Sequence, residues 1–415
     1  MLTYTGEFKV HWRTLLAACL GLALGAALNH YMTNLFGPPL IQEFGWEKAQ
    51  FALIGAVSLL TIPFVPLAGR LVDRIGPRAS AVVGFTIVPL TFLAYSMMTG
   101  PIYQFFAISI VQHIFGILTT SLVFCRVVVE RFDRARGMAL SVAMSGPPLI
   151  GAIAVPLVGE VVDTEGWRAG YRVLAAISAA GGFTAIMLMG RSSKPKAAQG
   201  NDAPARPSPK LSRAEFADLI RNPAFLLLIG GMLLCNLPQV IVSSQLKLVL
   251  MENGAASRLA TFIVSLYAIG VVVGRFISGF ALDRIPAHIV AIFALGLPAV
   301  GFMVLASPAQ ASWLLAGAVL LVGLAQGAEG DVGAYITSRK FELRHYSFIY
   351  SFLIVSMGLA SALGSLLLSA TLHTTGNFDL FLTICAIVTV GGALCFFLTG
   401  RYAATHVTTA APAAA

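Results

Sequence analysis

An all-α integral membrane protein of twelve transmembrane helices, arranged as two pseudo-symmetric six-helix bundles, is the architecture that three observations predict. Hydrophobic residues make up 57% of the 415-residue chain and charged residues only 11%, less than half the share of a soluble domain. Apolar runs of about 20 residues, the length that crosses a hydrocarbon core of about 30 Å, recur about twelve times. One polar, Pro- and Ala-rich stretch near the middle divides these runs into two sets.

The spans fall near residues 12–36, 48–69, 79–99, 102–127, 137–159, 170–190, 223–249, 259–281, 287–306, 311–337, 347–370 and 378–399. The first has Lys9 and Arg13 on its flank, but its apolar run exceeds that of a secretory signal and eleven more spans follow. It therefore reads as a retained helix. The stretch RSSKPKAAQGNDAPARPSPKLSR, from Arg191 to Arg213, is too poor in apolar residues to fold alone and reads as a tether. AEFADLI, just after it, has the pattern of a short helix lying on the membrane surface, and the tail TTAAPAAA reads as disordered. The division is an N-terminal bundle over 1–190, a linker over 191–222, a C-terminal bundle over 223–400 and a tail over 401–415.

Of the 27 Lys and Arg residues, twenty fall in segments on the side of the N-terminus and five on the opposite side. Arg126 and Arg275 remain in or near the membrane. The positive-inside rule then puts both termini in the cytoplasm, and the short termini favour a bacterial inner membrane with a multi-pass chain. This topology accounts for the formal net charge of +9, so nucleic acid is not an expected partner. All five cysteines lie in apolar segments without a CxxC pair, which reads as packing rather than metal or redox work. No nucleophile–base set, metal-ligand spacing or phosphate loop is present, so neither an enzyme nor a cofactor is expected.

Arg275 is the most informative residue, a guanidinium inside YAIGVVVGRFISGFAL. A permanent cation at mid-helix costs roughly 2.5–3.5 kcal/mol unless it has a polar partner or a water-filled cavity. Two roles fit it: a fork that grips a substrate carboxylate with two parallel hydrogen bonds, or a fixed ion pair with Glu329 or Asp331 of the tenth span. Those two acids are about 200° apart around a helix, so one faces a pore at most. An acid balanced between burial and a neighbouring guanidinium can load a proton alternately from each side, and a gate or packing role fits their position equally well. Asn29, His30 and Tyr31 in the first span, and Gln112 with His113 in the fourth, are further candidates for substrate or proton contact. Asn236, Pro238 and Gln239 predict a kinked, pore-lining seventh span. Tyr350 in the eleventh carries polarity towards a cavity face, although small residues such as Gly364 there mostly mean close packing.

An internal repeat adds topology. GRLVDRIGPR (Gly69 to Arg78) follows the second span and GFALDRI (Gly279 to Ile285) the eighth, both carrying GxxxDR about half a chain apart. Parallel six-helix repeats produce that spacing. Gly69, Asp73, Arg74, Arg78, Asp283 and Arg284 are thus candidate gating residues on the cytoplasmic side.

With GRLVDRIGPR, which resembles the signature loop between helices two and three, the whole chain is similar to the major facilitator superfamily. GPPLIQEFGWEKA (Gly37 to Ala49) after the first helix, ERFDRARGMALSVAMSG (Glu130 to Gly146) and GAEGDVGAYITSRKFELRHYSFIYS (Gly327 to Ser351) resemble its monocarboxylate porter and oxalate–formate antiporter group. In that group an arginine of helix eight holds the substrate carboxylate, and Arg275 stands at the matching place. SGPPLIGAIAVPLVG (Ser145 to Gly159) partly resembles the motif that packs helix five. Val271 replaces the aspartate that animal proton-coupled porters carry one turn before the arginine, and Gln112 replaces the helix-four arginine of drug–proton antiporters. The resemblance implies a secondary transporter of a small organic anion, a monocarboxylate first, by proton symport or anion exchange, with one chain as the functional unit. An exporter of an uncharged or cationic compound is the alternative, and a transporter-derived sensor a third.

Overall fold

The computed structural model describes residues 4–133, 135–189, 219–308, 311–340 and 346–400, and among these it contains helices and no strand. Eleven helices are long and apolar enough to cross a membrane. They are α1 (Thr5–Phe44), a helix over Phe64–Ser96, α4 (Ile102–Val129), α5 (Met138–Glu165), α6 (Trp167–Leu188), α7 (Pro223–Glu252), α8 (Ser257–Leu282), α9 (Ala287–Ala306), α10 (Ser312–Thr337), α11 (Ser351–Thr375) and α12 (Asp379–Thr399). The missing crossing, α2, is residues 48–75. It begins as a short apolar helix, Lys48–Thr61, turns at Ile62 and Pro63, and continues into the start of the Phe64–Ser96 helix. Pro63 and Pro66 lack the N–H groups an uninterrupted helix would need, hence the break. Gly76, at φ 83° and ψ 162°, then ends α2 and turns the chain into α3, residues 77–96. Only glycine adopts that backbone cheaply.

The first crossing departs from its predicted limits. GPPLIQEF lies inside α1 rather than after it, and the helix runs through Pro38 and Pro39 to a left-handed cap at Gly45 (φ 68°). At Gly25 the helix breaks instead, and the freed Ala26 N–H donates to Thr119 Oγ1 at 2.8 Å. Thr119 belongs to a 3₁₀ turn, Ile117–Thr119, that interrupts α4. The two breaks therefore meet at the Thr119 hydroxyl, which accepts from the Ala26 N–H and donates to Gly116 O of its own helix at 2.7 Å, the kind of re-satisfaction that irregular helix at membrane depth needs. In α7 the helix stops at Asn236, turns through Pro238 and re-forms as a π-helical stretch, Ile241–Gln245.

Residues 190–218 and 401–415 lie outside the described residues, which removes most of the linker, the AEFADLI segment and the tail from view. Leu219 to Arg221 are helical, and Asn222 caps α7 by accepting from the Ala224 N–H.

Three apolar cores organise the molecule. One contains only residues of the first six crossings, such as Phe85, Phe124 and Phe132; another only residues of the last six, such as Phe225, Leu353 and Phe396. The third joins both sets, with Phe36, Phe51 and Phe105 beside Ile241, Leu246, Tyr267 and Phe378. It lies at the end of the bundle remote from the chain termini. The bundles are fused at that far end, while each keeps its own core at the termini end. Large apolar side chains such as Phe183, Phe276, Phe293 and Trp313 point outward, as lipid-facing positions do.

Candidate functional site

Between the bundles lies a cavity of about 330 Å³. Its polar lining comes from Asn29, His30 and Thr33 of α1, Ser58 and Thr61 of α2, and Gln112, His113 and Thr120 of α4. From the other bundle come Gln239, Ser243 and Ser244 of α7 and Ser361 of α11. The helix breaks explain the supply: residues flanking Gly25, the 3₁₀ turn and the π-helical stretch are turned off regular helical register. No Asp, Glu, Lys or Arg is among the lining residues. The surface is one of hydroxyls, amides and two imidazoles.

Gln112 is 2% exposed, yet neither its amide nitrogen nor its amide oxygen has a partner. A buried primary amide left so costs about 1–3 kcal/mol per group, so these atoms are poised for a solute or water. His113 Nδ1 lies 2.8 Å from the Ser109 carbonyl oxygen. A carbonyl only accepts, so Nδ1 carries the hydrogen and Nε2 is left as the free ring nitrogen. His30 stands edge-on to Tyr31, ring centroids 5.2 Å apart.

Other candidates fall elsewhere. Tyr31 packs against Tyr267 of the opposite bundle and against Gly151, where a Cβ would sit 2.7 Å from its ring. Asn236 donates to its own helix at Met232 O and does not line the cavity. The backbone of Tyr350 is helical, but its side chain lies outside the described residues. Arg275 is also absent from the lining; its Nη1 donates to Met144 O of α5 at 3.2 Å, its Nε has no hydrogen-bond partner, and Asp331 Oδ2 is 3.8 Å away. Glu329 and Asp331 do diverge around α10: Glu329 is 3% exposed, whereas the Asp331 side chain is 41% exposed.

The two GxxxDR copies are used differently. Asp73 pairs with Arg126 of α4, which also pairs with Glu130 at 3.0 Å, rather than acting with Arg74. Arg74 is exposed, Arg78 half-buried, and Gly69 has open space beside it. Asp283 and Arg284 are exposed, and Arg284 lies 3.5 Å from the centroid of its neighbour Phe280.

Sequence reasoning missed the far-end seal. Asn34 Nδ2 donates to Val242 O and Asn34 Oδ1 accepts from the Leu246 N–H, both at 2.7 Å, so one side chain clamps both edges of the π-helical stretch. Lys247, 1% exposed, has its Nζ 3.5 Å from Asp163 Oδ1, which also accepts from Ser257 Oγ at 2.9 Å. Arg258–Glu160 at 2.6 Å and Lys48–Glu252 at 2.9 Å complete it. Asn34 and Lys247 are polar residues within apolar spans, the same signal that singled out Arg275. Ser58, Thr61, Thr120, Ser243, Ser244 and Ser361 gave no such signal, because hydroxyls bond back to their own helices throughout membrane proteins.

The family model of the Major Facilitator Superfamily matches residues 19–248 and 228–414. The mouse protein "Synaptic vesicular amine transporter" is 25% identical over 388 residues, 89% of this chain and 71% of that one. The bovine protein "Monocarboxylate transporter 13" is 23% identical over 298 residues, 71% and 67% of the two chains. Among solved structures, the nucleoside transporter NupG superposes with a TM-score of 0.73 at 17% identity, covering 95% of this chain and 99% of its own. A bacterial homologue of the human lysosomal transporter Spinster, in an inward-facing, unoccupied conformation, gives 0.68 at 15% identity, covering 97% and 98%. With a two-bundle helical fold, a cavity between the bundles and a family match that runs along almost the whole chain, this protein belongs to the major facilitator superfamily of membrane transporters, which are not enzymes.

Proposed function

We propose that the chain is a secondary transporter of a small organic anion, a monocarboxylate first, working by alternating access of the bundles at 1–190 and 223–400 with 191–222 as their tether and 401–415 as a cytoplasmic tail. The unpartnered Gln112 amide in a cavity between the bundles carries this reading. Its N–H group donates to a carboxylate, while its oxygen accepts from a hydroxyl elsewhere on the solute. Arg275 ties α8 to α5 through Met144 O in this form and takes the carboxylate once the bundles shift and Met144 withdraws. The energy comes from proton symport or anion exchange. The bias of basic residues supports cytoplasmic termini in a bacterial inner membrane, so the form with a sealed far end faces inward. Because the cavity lies between two parts of one chain, a single copy suffices.

A second reading, transport of an uncharged compound, is favoured by the absence of any charged residue in the cavity lining. Uptake of labelled lactate, pyruvate and benzoate into proteoliposomes separates the two, with an imposed pH step in one arm and preloaded unlabelled anion in another. Saturable uptake that Gln112→Leu weakens about tenfold, the loss of one or two hydrogen bonds, supports the anion reading. If no carboxylate moves while neutral polar solutes do, the second reading replaces it.

A further inference from the structure

A second pocket, of about 30 Å³, lies inside the C-terminal bundle among α7, α9, α10 and α12. Glu329 reaches it from α10 and Thr389 from α12, 3% and 1% exposed. Gln326 Nε2 donates to Glu329 Oε2 at 3.1 Å. Glu329 Oε1 and Thr389 Oγ1 are both buried without a partner. Gln239 lines this pocket and the central cavity alike, so its side chain borders both spaces.

A bare carboxylate shut away from water costs several kcal/mol unless a positive charge neutralises it. No Lys, Arg or His lines the pocket. The ionisable groups that face Glu329 from the packed helices are the Cys235 thiol of α7 and the Tyr267 hydroxyl of α8, both acids themselves. Arg275 is turned to Asp331 instead. A metal cation would need a shell of about six oxygens, but Val242, Leu295, Phe302 and Val322 make most of the wall apolar. A proton needs one oxygen. Once on Oε1 it makes that atom a donor, which one water in the available space accepts, and the same water can take the Thr389 hydroxyl hydrogen, so that the two unpartnered oxygens are satisfied together.

We propose that Glu329 is a proton-binding site within the C-terminal bundle, with Thr389 and Gln326 as its partners and Gln239 as its link to the central cavity. This rests on the transport reading above and names its coupling group. A proton passes from cavity water to Oε1 in one orientation of the bundles and returns from Oε1 to water in the other. While Glu329 is ionised, its negative charge behind Gln239 opposes an anion in the cavity. Protonation removes that opposition, which makes uptake of the anion conditional on the proton.

The test uses the whole protein in lipid. Infrared difference spectra at neutral pH are expected to contain a protonated-carboxyl band that shifts in D₂O, persists when choline replaces sodium, moves in Thr389→Val and is absent from Glu329→Gln. In the proteoliposome assay, the ratio of uptake with and without the pH step is expected to fall to unity in Glu329→Gln. A band that appears only once sodium is removed or is absent from the wild type, or a ratio the variant leaves unaltered, overturns the proposal. If the wild type moves no carboxylate but the band behaves as described, the substrate reading fails and the proton site stands.

Discussion

At the far end of the interface the bonds run from one bundle to the other, through Asn34, Lys247 with Asp163, Arg258 with Glu160 and Lys48 with Glu252. At the termini end, Asp73 and Arg126 pair within a single bundle. The fused core repeats the contrast in apolar residues, since it draws on both bundles only at the far end. Opening the far end therefore has to break polar clamps and part a shared core, whereas the termini-end pair can persist through the movement. The far end is thus where substitutions are expected to move the balance between conformations most.

Breaking the Asn34 clamp should give the largest effect. Asn34→Leu removes both buried hydrogen bonds of the clamp, at about 1 kcal/mol or more each. We expect double electron–electron resonance between spin labels at Glu165 and His373 to show a longer far-end distance in most molecules; a wild-type distribution would mean that Asn34 does not hold the seal. Next comes Asp163→Asn, which strands the buried Lys247 ammonium and should cost the sealed form about 2 kcal/mol, while Lys247→Met, which removes the charge and keeps the volume, should cost little. Equal shifts from both would show that the pair stabilises the seal as an ion pair. Arg258→Gln, at a side chain 79% exposed, should change the same distance equilibrium by less than about 0.5 kcal/mol, and less still in high salt. Smallest of all on this measurement is Asp73→Asn, expected to leave the far-end distance unaltered; a longer distance there would remove the contrast between the two ends.

Much of the fold is legible in the chain because hydrocarbon thickness imposes a length on every span, and the twelve predicted runs match the crossings closely. The exceptions are instructive. The second span was read as one helix, but Pro63 and Pro66 divide it and Gly76 fuses its end to α3. GPPLIQEF falls beyond the predicted limit of the first span at residue 36, yet the clamp at Asn34, one turn earlier, holds that part of α1 against α7. The site was less legible. Charge in an apolar span is a loud signal, and it led to Arg275, which ties two helices rather than lining the cavity here. The cavity itself is built from neutral hydroxyls and amides whose direction depends on breaks at Gly25, Thr120 and Pro238. A helix that departs from ideal geometry turns its side chains by amounts no residue spacing records.

The contact between α8 and α10 is glycine against backbone. A Cβ on Gly274 would lie 2.0 Å from Leu324 O, one on Gly327 2.1 Å from Val271 O, and one on Gly323 2.4 Å from Tyr267 O. Helices seated this deeply cannot slide or roll past each other without collision, so they travel as one piece. The backbones of Arg275 and Asp331 ride on that piece together, so the spacing of their attachment points holds through the movement. The Arg275–Met144 bond spans the moving joint. One guanidinium thus holds a constant companion on its own side and a removable one on the other, which makes the Met144 carbonyl the natural place to read how far the joint has turned.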